Sequence, residues 1–256
     1  MSDTVLVTVE ERICRIRMHR PEKKNALTAA MYGALADAVA AAEADPAVRA
    51  LLVTGTESIF SAGNDIADFA GGFSMDEGSP VVRFLDALVG AQKPIVAAVN
   101  GPAIGIGTTM LLHCDLVYAG RSARFQLPFV NLGLVPEAGS SFILPRLLGH
   151  ARAAELLMLG DPFDAETARA CGIVNAVVDD AETLPRALAA ARALAAKPPA
   201  ALRLVKQMLK QADADTLRRV IRAEAEQFRA RLATPEAAEA FQAFMERRKP
   251  DFSRFA

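Results

Sequence analysis

Three short runs, Val48–Thr54, Pro94–Val99 and Leu116–Ala119, are apolar almost throughout and are separated by stretches of helical periodicity. Apolar runs of this length without polar alternation read as strands buried inside a domain, and strands that alternate with helices define an α/β architecture. Two further runs open the chain. Val5–Glu10 is rich in β-formers, and Ile13–Met18 sets apolar Ile13, Cys14, Ile16 and Met18 against Arg15 and Arg17, so the pair reads as a hairpin. Thr28 is placed to cap an Ala-rich helix that runs to about Ala44 and stops at Asp45-Pro46. A second helix over Pro80–Ala91 leads into Pro94–Val99.

Beyond Leu134 the pattern is helical, through Ala138–Leu148, Ala151–Leu159 and Ala165–Ala170, with one last short strand at Val174–Val178. Leu184–Ala196, Ala200–Gln211, Leu217–Arg231 and Pro235–Arg248 then follow as amphipathic helices, broken by Pro198-Pro199 and Thr234-Pro235. We divide the chain at residue 199, with 1–199 as the α/β core and 200–256 as a helical region suited to packing on a partner. The alanine richness follows from helix propensity.

Charge and cysteine content narrow the function. Lys and Arg number 29 against 30 Asp and Glu, so no basic footprint points to nucleic acid or an anionic membrane. The 3 cysteines, Cys14, Cys114 and Cys171, show no metal spacing, the start lacks the basic-then-apolar order of a signal peptide, and no apolar run is long enough to span a bilayer. The expectation is a cytoplasmic protein that uses no metal and needs no cofactor.

Four loops carry the candidate chemistry. Phe60-Ser61-Ala62-Gly63-Asn64-Asp65 follows the first buried strand, and its small residues allow a ligand near the backbone. Asn100-Gly101-Pro102-Ala103-Ile104-Gly105-Ile106-Gly107 joins the next strand to a helix starting near Gly105, whose first N–H groups are unpaired. Two such loops can aim two backbone donors at one carbonyl oxygen, although each alone reads equally well as a tight turn. The glycines fit neither GxGxxG nor a P-loop. Asp65, just before Ile66–Phe69, reads as a helix N-cap before it reads as a catalytic acid. Glu137 lies in Leu134-Val135-Pro136-Glu137-Ala138-Gly139-Ser140-Ser141, and by position alone it is a dipole partner in the first turn of a helix. Arg20-Pro21-Glu22-Lys23-Lys24-Asn25, with Arg247-Arg248-Lys249 near the end, is either solvated surface or a phosphate clamp. His19, His113 and His150 are scattered and read as structural or surface residues, and Ser140 and Ser141 lack a nucleophile elbow.

Taken in order, R-P-E-K-K-N-A-L, F-S-A-G-N-D-I, A-A-V-N-G-P-A-I-G-I-G, C-D-L-V-Y-A, F-x-x-P-F-V-N-L-G-L-V-P-E-A-G and the late F-M-E-R-R-K-P-D-F resemble the crotonase (enoyl-CoA hydratase/isomerase) superfamily over nearly the whole chain. The resemblance implies a spiral of ββα units with a C-terminal helical trimerisation region, assembled as a homotrimer or a dimer of trimers. It also implies an acyl-CoA substrate whose thioester oxygen is held by the backbone N–H groups of Asn64 and Ile106. Its substrate-contacting positions fall on Lys23, Lys24, Ala26, Ala62, Gly63, Asp65, Ile66, Gly105, Thr109, Phe129, Pro136 and Lys249. Hydratases of the superfamily resemble one another in carrying two glutamates, and those positions here hold Thr109 and Phe129, neither of which exchanges protons near neutral pH. The phrase P-F-x-x-L-G-x-x-P-E-x-x-S-S is instead similar to the peroxisomal-type 3,2-enoyl-CoA isomerases, which makes Glu137 the implied base. Open alternatives are a hydratase, thioester hydrolase or decarboxylase working through Asp68 or a water, and a non-catalytic acyl-CoA-binding protein.

Overall fold

A computed structural model of the chain describes residues 3–70 and 74–255. Its strands in chain order are β1 (Val5–Glu10), β2 (Ile13–Met18), β3 (Ala50–Thr54), β4 (Ile95–Val99), β5 (Pro102–Ile104), β6 (Leu116–Gly120), β7 (Arg124–Gln126), β8 (Phe163–Asp164) and β9 (Ala176–Val178). The helices are α1 (Ala29–Ala44), α2 (Ile66–Ala70), α3 (Pro80–Gly90), α4 (Ile106–Thr109), α5 (Ser140–Leu148), α6 (His150–Ala154), α7 (Ala165–Ala170), α8 (Asp180–Ala195), α9 (Pro199–Lys210), α10 (Ala214–Leu232) and α11 (Pro235–Met245).

Strands β1-β2-β3-β4-β6-β9 form a 6-stranded sheet, and β5-β7-β8 form a 3-stranded one. Only the β1–β2 hairpin is antiparallel in the larger sheet. Its turn residues Glu11 and Arg12 take φ of 50° and 66°, the geometry whose twist matches a hairpin. The second sheet reveals the spiral. After β2 the chain bridges Leu27 to Asn64, after β3 it bridges Ser61 to Ala103, after β4 and β6 it adds β5 and β7, and β8 precedes β9. Each turn therefore lays one strand in the large sheet and a short piece in the second row. The sequence reading passes over β5, β7 and β8, because two or three residues are too few to display a period, and it places them in loops or helix approaches.

Strand β3 is buried on both faces, as its apolar run requires. Leu51 and Val53 enter the main core, whereas Ala50 and Leu52 meet Ala187, Ala190 and Ala191 of α8. Alanine thus does more than favour helix: it lets α8 lie close against the sheet. Helices α10 and α11 also return to the main core, through Ile221, Ala225, Phe228 and Ala237. Helix α9 instead leaves Leu204, Val205, Met208 and Leu209 exposed. Among the described residues no helix is long and apolar enough to cross a membrane.

Candidate active site

The loop at 20–27 is laced to the loop at 59–65. Ala62 N–H donates to the Lys24 carbonyl (3.0 Å), Leu27 N–H to Gly63 (2.7 Å) and Asp65 N–H to Leu27 (2.9 Å). Asn25 is buried and spans the same gap, donating through Nδ2 to the carbonyls of Ile59 (3.0 Å) and Phe60 (3.1 Å). Asp65 is occupied: Oδ2 accepts from Arg20 Nη1 at 2.6 Å, and Oδ1 caps α2 by accepting from Ala67 N–H at 3.0 Å. Burial pushes its carboxyl up, but Arg20 and the capping N–H together hold it below the usual range. Asp68 is also engaged, accepting from Ala29 N–H at the start of α1 (2.9 Å).

Gly63 brings this loop against the next one. It takes φ of 88°, and a Cβ there would lie 2.8 Å from the Ile104 carbonyl oxygen. Gly105, with φ of 55°, then turns the chain into α4. The N–H of Gly105 is used by the Gln126 carbonyl (2.9 Å). Among the described residues, however, no acceptor pairs with the N–H of Asn64 or of Ile106. Two unpaired donors on touching loops suit a carbonyl oxygen that gains negative charge.

Glu137 is brought to the same place by different contacts. Its side chain is buried, and the Thr109 hydroxyl, on α4 just beyond Ile106, donates to its Oε1. Tyr32, fully buried on α1, donates its hydroxyl to the Asn64 side chain. Burial and then the charge of Glu137 raise the Tyr32 hydroxyl well above its ordinary range. The expectation that Glu137 sits in the first turn of a helix is corrected. Ala138 (φ 57°) and Gly139 (φ 75°) are both left-handed, and α5 begins only at Ser140. The N–H groups around the start of α5 are taken elsewhere: Ser140 N–H donates to the Glu137 backbone carbonyl (3.1 Å), and the Glu224 carboxylate of α10 accepts from Gly139 N–H (2.6 Å) and Ser141 N–H (3.0 Å). Burial is therefore the largest influence on Glu137. It raises the carboxyl to about 8, opposed by the Thr109 hydrogen bond and assisted by the Glu224 charge.

His113 completes the setting. Its Nε2 lies 2.7 Å from the Ala138 carbonyl, and burial lowers the imidazole to about 4, so at neutral pH it is an uncharged donor that grips the turn after Glu137. This is the structural role expected of it. Tyr32 and Glu224 were invisible to sequence reasoning: nothing local distinguishes a tyrosine in an Ala-rich helix, or a glutamate 85 residues from the turn it holds.

The structure brings together Ala62, Gly63, Asn64, Gly105, Ile106, Thr109 and Glu137. Ala26, Ile66 and Pro136 are half-buried beside these elements, and Phe129 is buried, its carbonyl accepting from Leu132 and Leu134 to shape the approach to Glu137. Lys23 and Lys24 are exposed on the laced loop. Lys249 is exposed beyond α11, and its neighbour Arg248 is already committed to Glu239 and Glu246 of its own chain. Among the described residues no cluster of His, Cys, Asp or Glu can hold a metal ion.

The enoyl-CoA hydratase/isomerase family model matches residues 8–254. The chain is 36% identical to 1,2-epoxyphenylacetyl-CoA isomerase of Escherichia coli (strain K12), over 99% of each protein. It is 36% identical to enoyl-CoA delta isomerase 2 of Rattus norvegicus, over 96% of this chain and 64% of the rat protein. The solved structure of Pseudomonas aeruginosa OdaA is 52% identical, with a TM-score of 0.94 over 95% of this chain and 99% of that one. The chain belongs to the enoyl-CoA hydratase/isomerase family and has the crotonase fold. That family name spans two reactions, so membership establishes acyl-CoA chemistry without choosing between them.

Proposed function

We propose that the chain isomerises 3-enoyl-CoA to 2-enoyl-CoA, with Glu137 as the single proton shuttle and the N–H groups of Asn64 and Ile106 as the oxyanion hole. The observation that carries this reading is a buried Glu137 carboxyl raised to about 8 and partnered by the Thr109 hydroxyl, with Thr109 and Phe129 standing at the two positions where the resemblance puts the hydratases' glutamates. The other nearby acids are committed: Asp65 to Arg20 and α2, Asp68 to the start of α1, and Glu224 to the start of α5. Hydration needs one group to activate water and a way to deliver a proton at the neighbouring carbon, whereas moving a double bond needs one group acting twice. The thioester makes the C2 proton acidic, and two N–H donors hold the charge of the resulting dienolate. Ionised Glu137 takes the proton from C2 and, as the acid, returns it to C4, so no proton is gained or lost overall. A homotrimer or dimer of trimers accompanies this reading, supported by the apolar residues that α9 leaves exposed.

Two expected results follow from this assignment. Because the Thr109 hydroxyl favours the ionised form of Glu137, Thr109→Val should move the rise of kcat/KM to higher pH and lower kcat/KM at pH 7 by about 3- to 10-fold. A pH–rate profile of the folded variant checks it; a midpoint that stays in place means the hydroxyl does not tune the base. The exposed Lys23 and Lys24 are assigned to the phosphates of coenzyme A. Replacing both with Ala should weaken acyl-CoA binding by about 3- to 10-fold and flatten its salt dependence. Titration calorimetry at two ionic strengths measures both, and unchanged affinity would return the pair to ordinary surface.

A further inference from the structure

The first N–H groups of a helix are unpaired and carry its positive end, so a carboxyl placed just before α5 would ordinarily be drawn to them as an anion. At this turn they are unavailable to the Glu137 carboxyl: the Ser140 N–H donates to the Glu137 backbone carbonyl (3.1 Å), and its neighbours are taken by Glu224. Glu224 is buried in the middle of α10, and its carboxylate accepts from Gly139 N–H (2.6 Å), Ser141 N–H (3.0 Å) and the Ser141 hydroxyl. Among the described residues no cation pairs with it. Helix α10 also presses on the turn itself: a Cβ on Gly139 would lie 2.4 Å from Leu217 Cδ1 and 3.2 Å from Ile221 Cγ1.

Resting on the reading of Glu137 as proton shuttle, we propose that Glu224 is a positioning residue for that shuttle: it fixes the left-handed turn after Glu137 and, by occupying the N–H groups of Gly139 and Ser141, denies those two donors to the Glu137 carboxyl. Glu137 is then left with one hydroxyl partner and stays a stronger base than a helix-capping carboxylate. Its other neighbours do not supply this effect. Tyr32 from α1 keeps its proton, Thr109 from α4 does not titrate, and His113, which follows α4 and holds the Ala138 carbonyl, is neutral above about 4. Glu224 is the acid among them: burial raises its own carboxyl, opposed by the hydrogen bonds from Ser141 and Gly139, and in its ionised form its negative charge adds to burial in disfavouring the Glu137 carboxylate. The C-terminal helical region thus contributes to the site from within the same chain.

The test follows the Glu137 carboxyl directly, through the pH titration of the infrared carboxylic-acid band that disappears in Glu137→Gln. In Glu224→Gln, which keeps the shape and removes the charge, the midpoint should fall by about one unit, and in Glu224→Asp it should return toward the native value. The midpoint of kcat/KM should move by the same amount. A purely architectural glutamate would alter stability and leave both midpoints in place, and that result, or an equal fall in the Asp variant, overturns the proposal. Should Glu224→Gln not fold, Ser141→Ala carries the test: losing one donor makes Glu224 easier to protonate, so the Glu137 midpoint should fall by a smaller amount, and no movement overturns the proposal. Because the infrared titration needs no turnover, failure of the isomerase reading would appear separately, as activity retained in Glu137→Gln.

Discussion

Glu137→Gln is expected to lower isomerisation of a 3-enoyl-CoA by about 10²- to 10⁴-fold while acyl-CoA affinity changes little, because the amide keeps the shape and removes the carboxyl that, among the described residues of the site, is held by neither a cation nor a backbone N–H. The same substitution has a signature in stability. A carboxyl raised on folding binds a proton more tightly in the native state, so its contribution is fully present below the unfolded value near 4.5 and is lost as pH rises through about 8. Native protein should therefore lose stability relative to Glu137→Gln across that window, at up to about 1.4 kcal/mol per pH unit. Denaturant midpoints at pH 5 and pH 9 measure the difference. If the two proteins ran parallel in pH, Glu137 would not be the buried acid described above.

Gly63→Ala is expected to damage the pairing of the two loops that carry Asn64 and Ile106. The residue sits at φ of 88°, and the added carbon would meet the Ile104 carbonyl oxygen at 2.8 Å, which is backbone and has little room to retreat. The loops bearing Asn64 and Ile106 would be forced apart, with a loss of about 1–3 kcal/mol in stability from the strained backbone. Misaligning one oxyanion donor should lower kcat by about 10²- to 10³-fold. Gly78→Ala is the control: it takes a similar φ of 80°, but its Cβ meets nothing within 4 Å, so it should cost stability and spare kcat. Full turnover in folded Gly63→Ala would remove Asn64 from the reaction.

Legibility in the sequence followed the range of the interactions. The hairpin Val5–Glu10 and Ile13–Met18, and helix α1 behind its Thr28 cap, were readable because alternation and capping are local signals. Strands β5, β7 and β8 were not, since their only evidence is pairing with distant segments. At the site, the Gly63 and Gly105 loops were readable from their small residues, and the resemblance singled out Thr109 and Glu137. That the Thr109 hydroxyl would meet the Glu137 carboxyl, or that Tyr32 would hold the Asn64 side chain, depends on how four elements pack. The misplaced start of α5 has a particular cause: Ala138 has high helix propensity, yet it is held left-handed by the His113 contact to its carbonyl and by the packing of α10 on Gly139.

One measurement bears most directly on the single-carboxyl account. Native protein is incubated with a 3-enoyl-CoA and, in parallel, with a 2-enoyl-CoA, and the products are separated by chromatography and weighed by mass spectrometry. Isomerisation leaves the mass of the 3-enoyl thioester unchanged while creating the conjugated 2-enoyl product, and hydration adds one water. The account predicts rapid conversion of the first substrate and little addition of water to the second; efficient hydration of 2-enoyl-CoA, or a 3-enoyl-CoA returned unchanged, would contradict it.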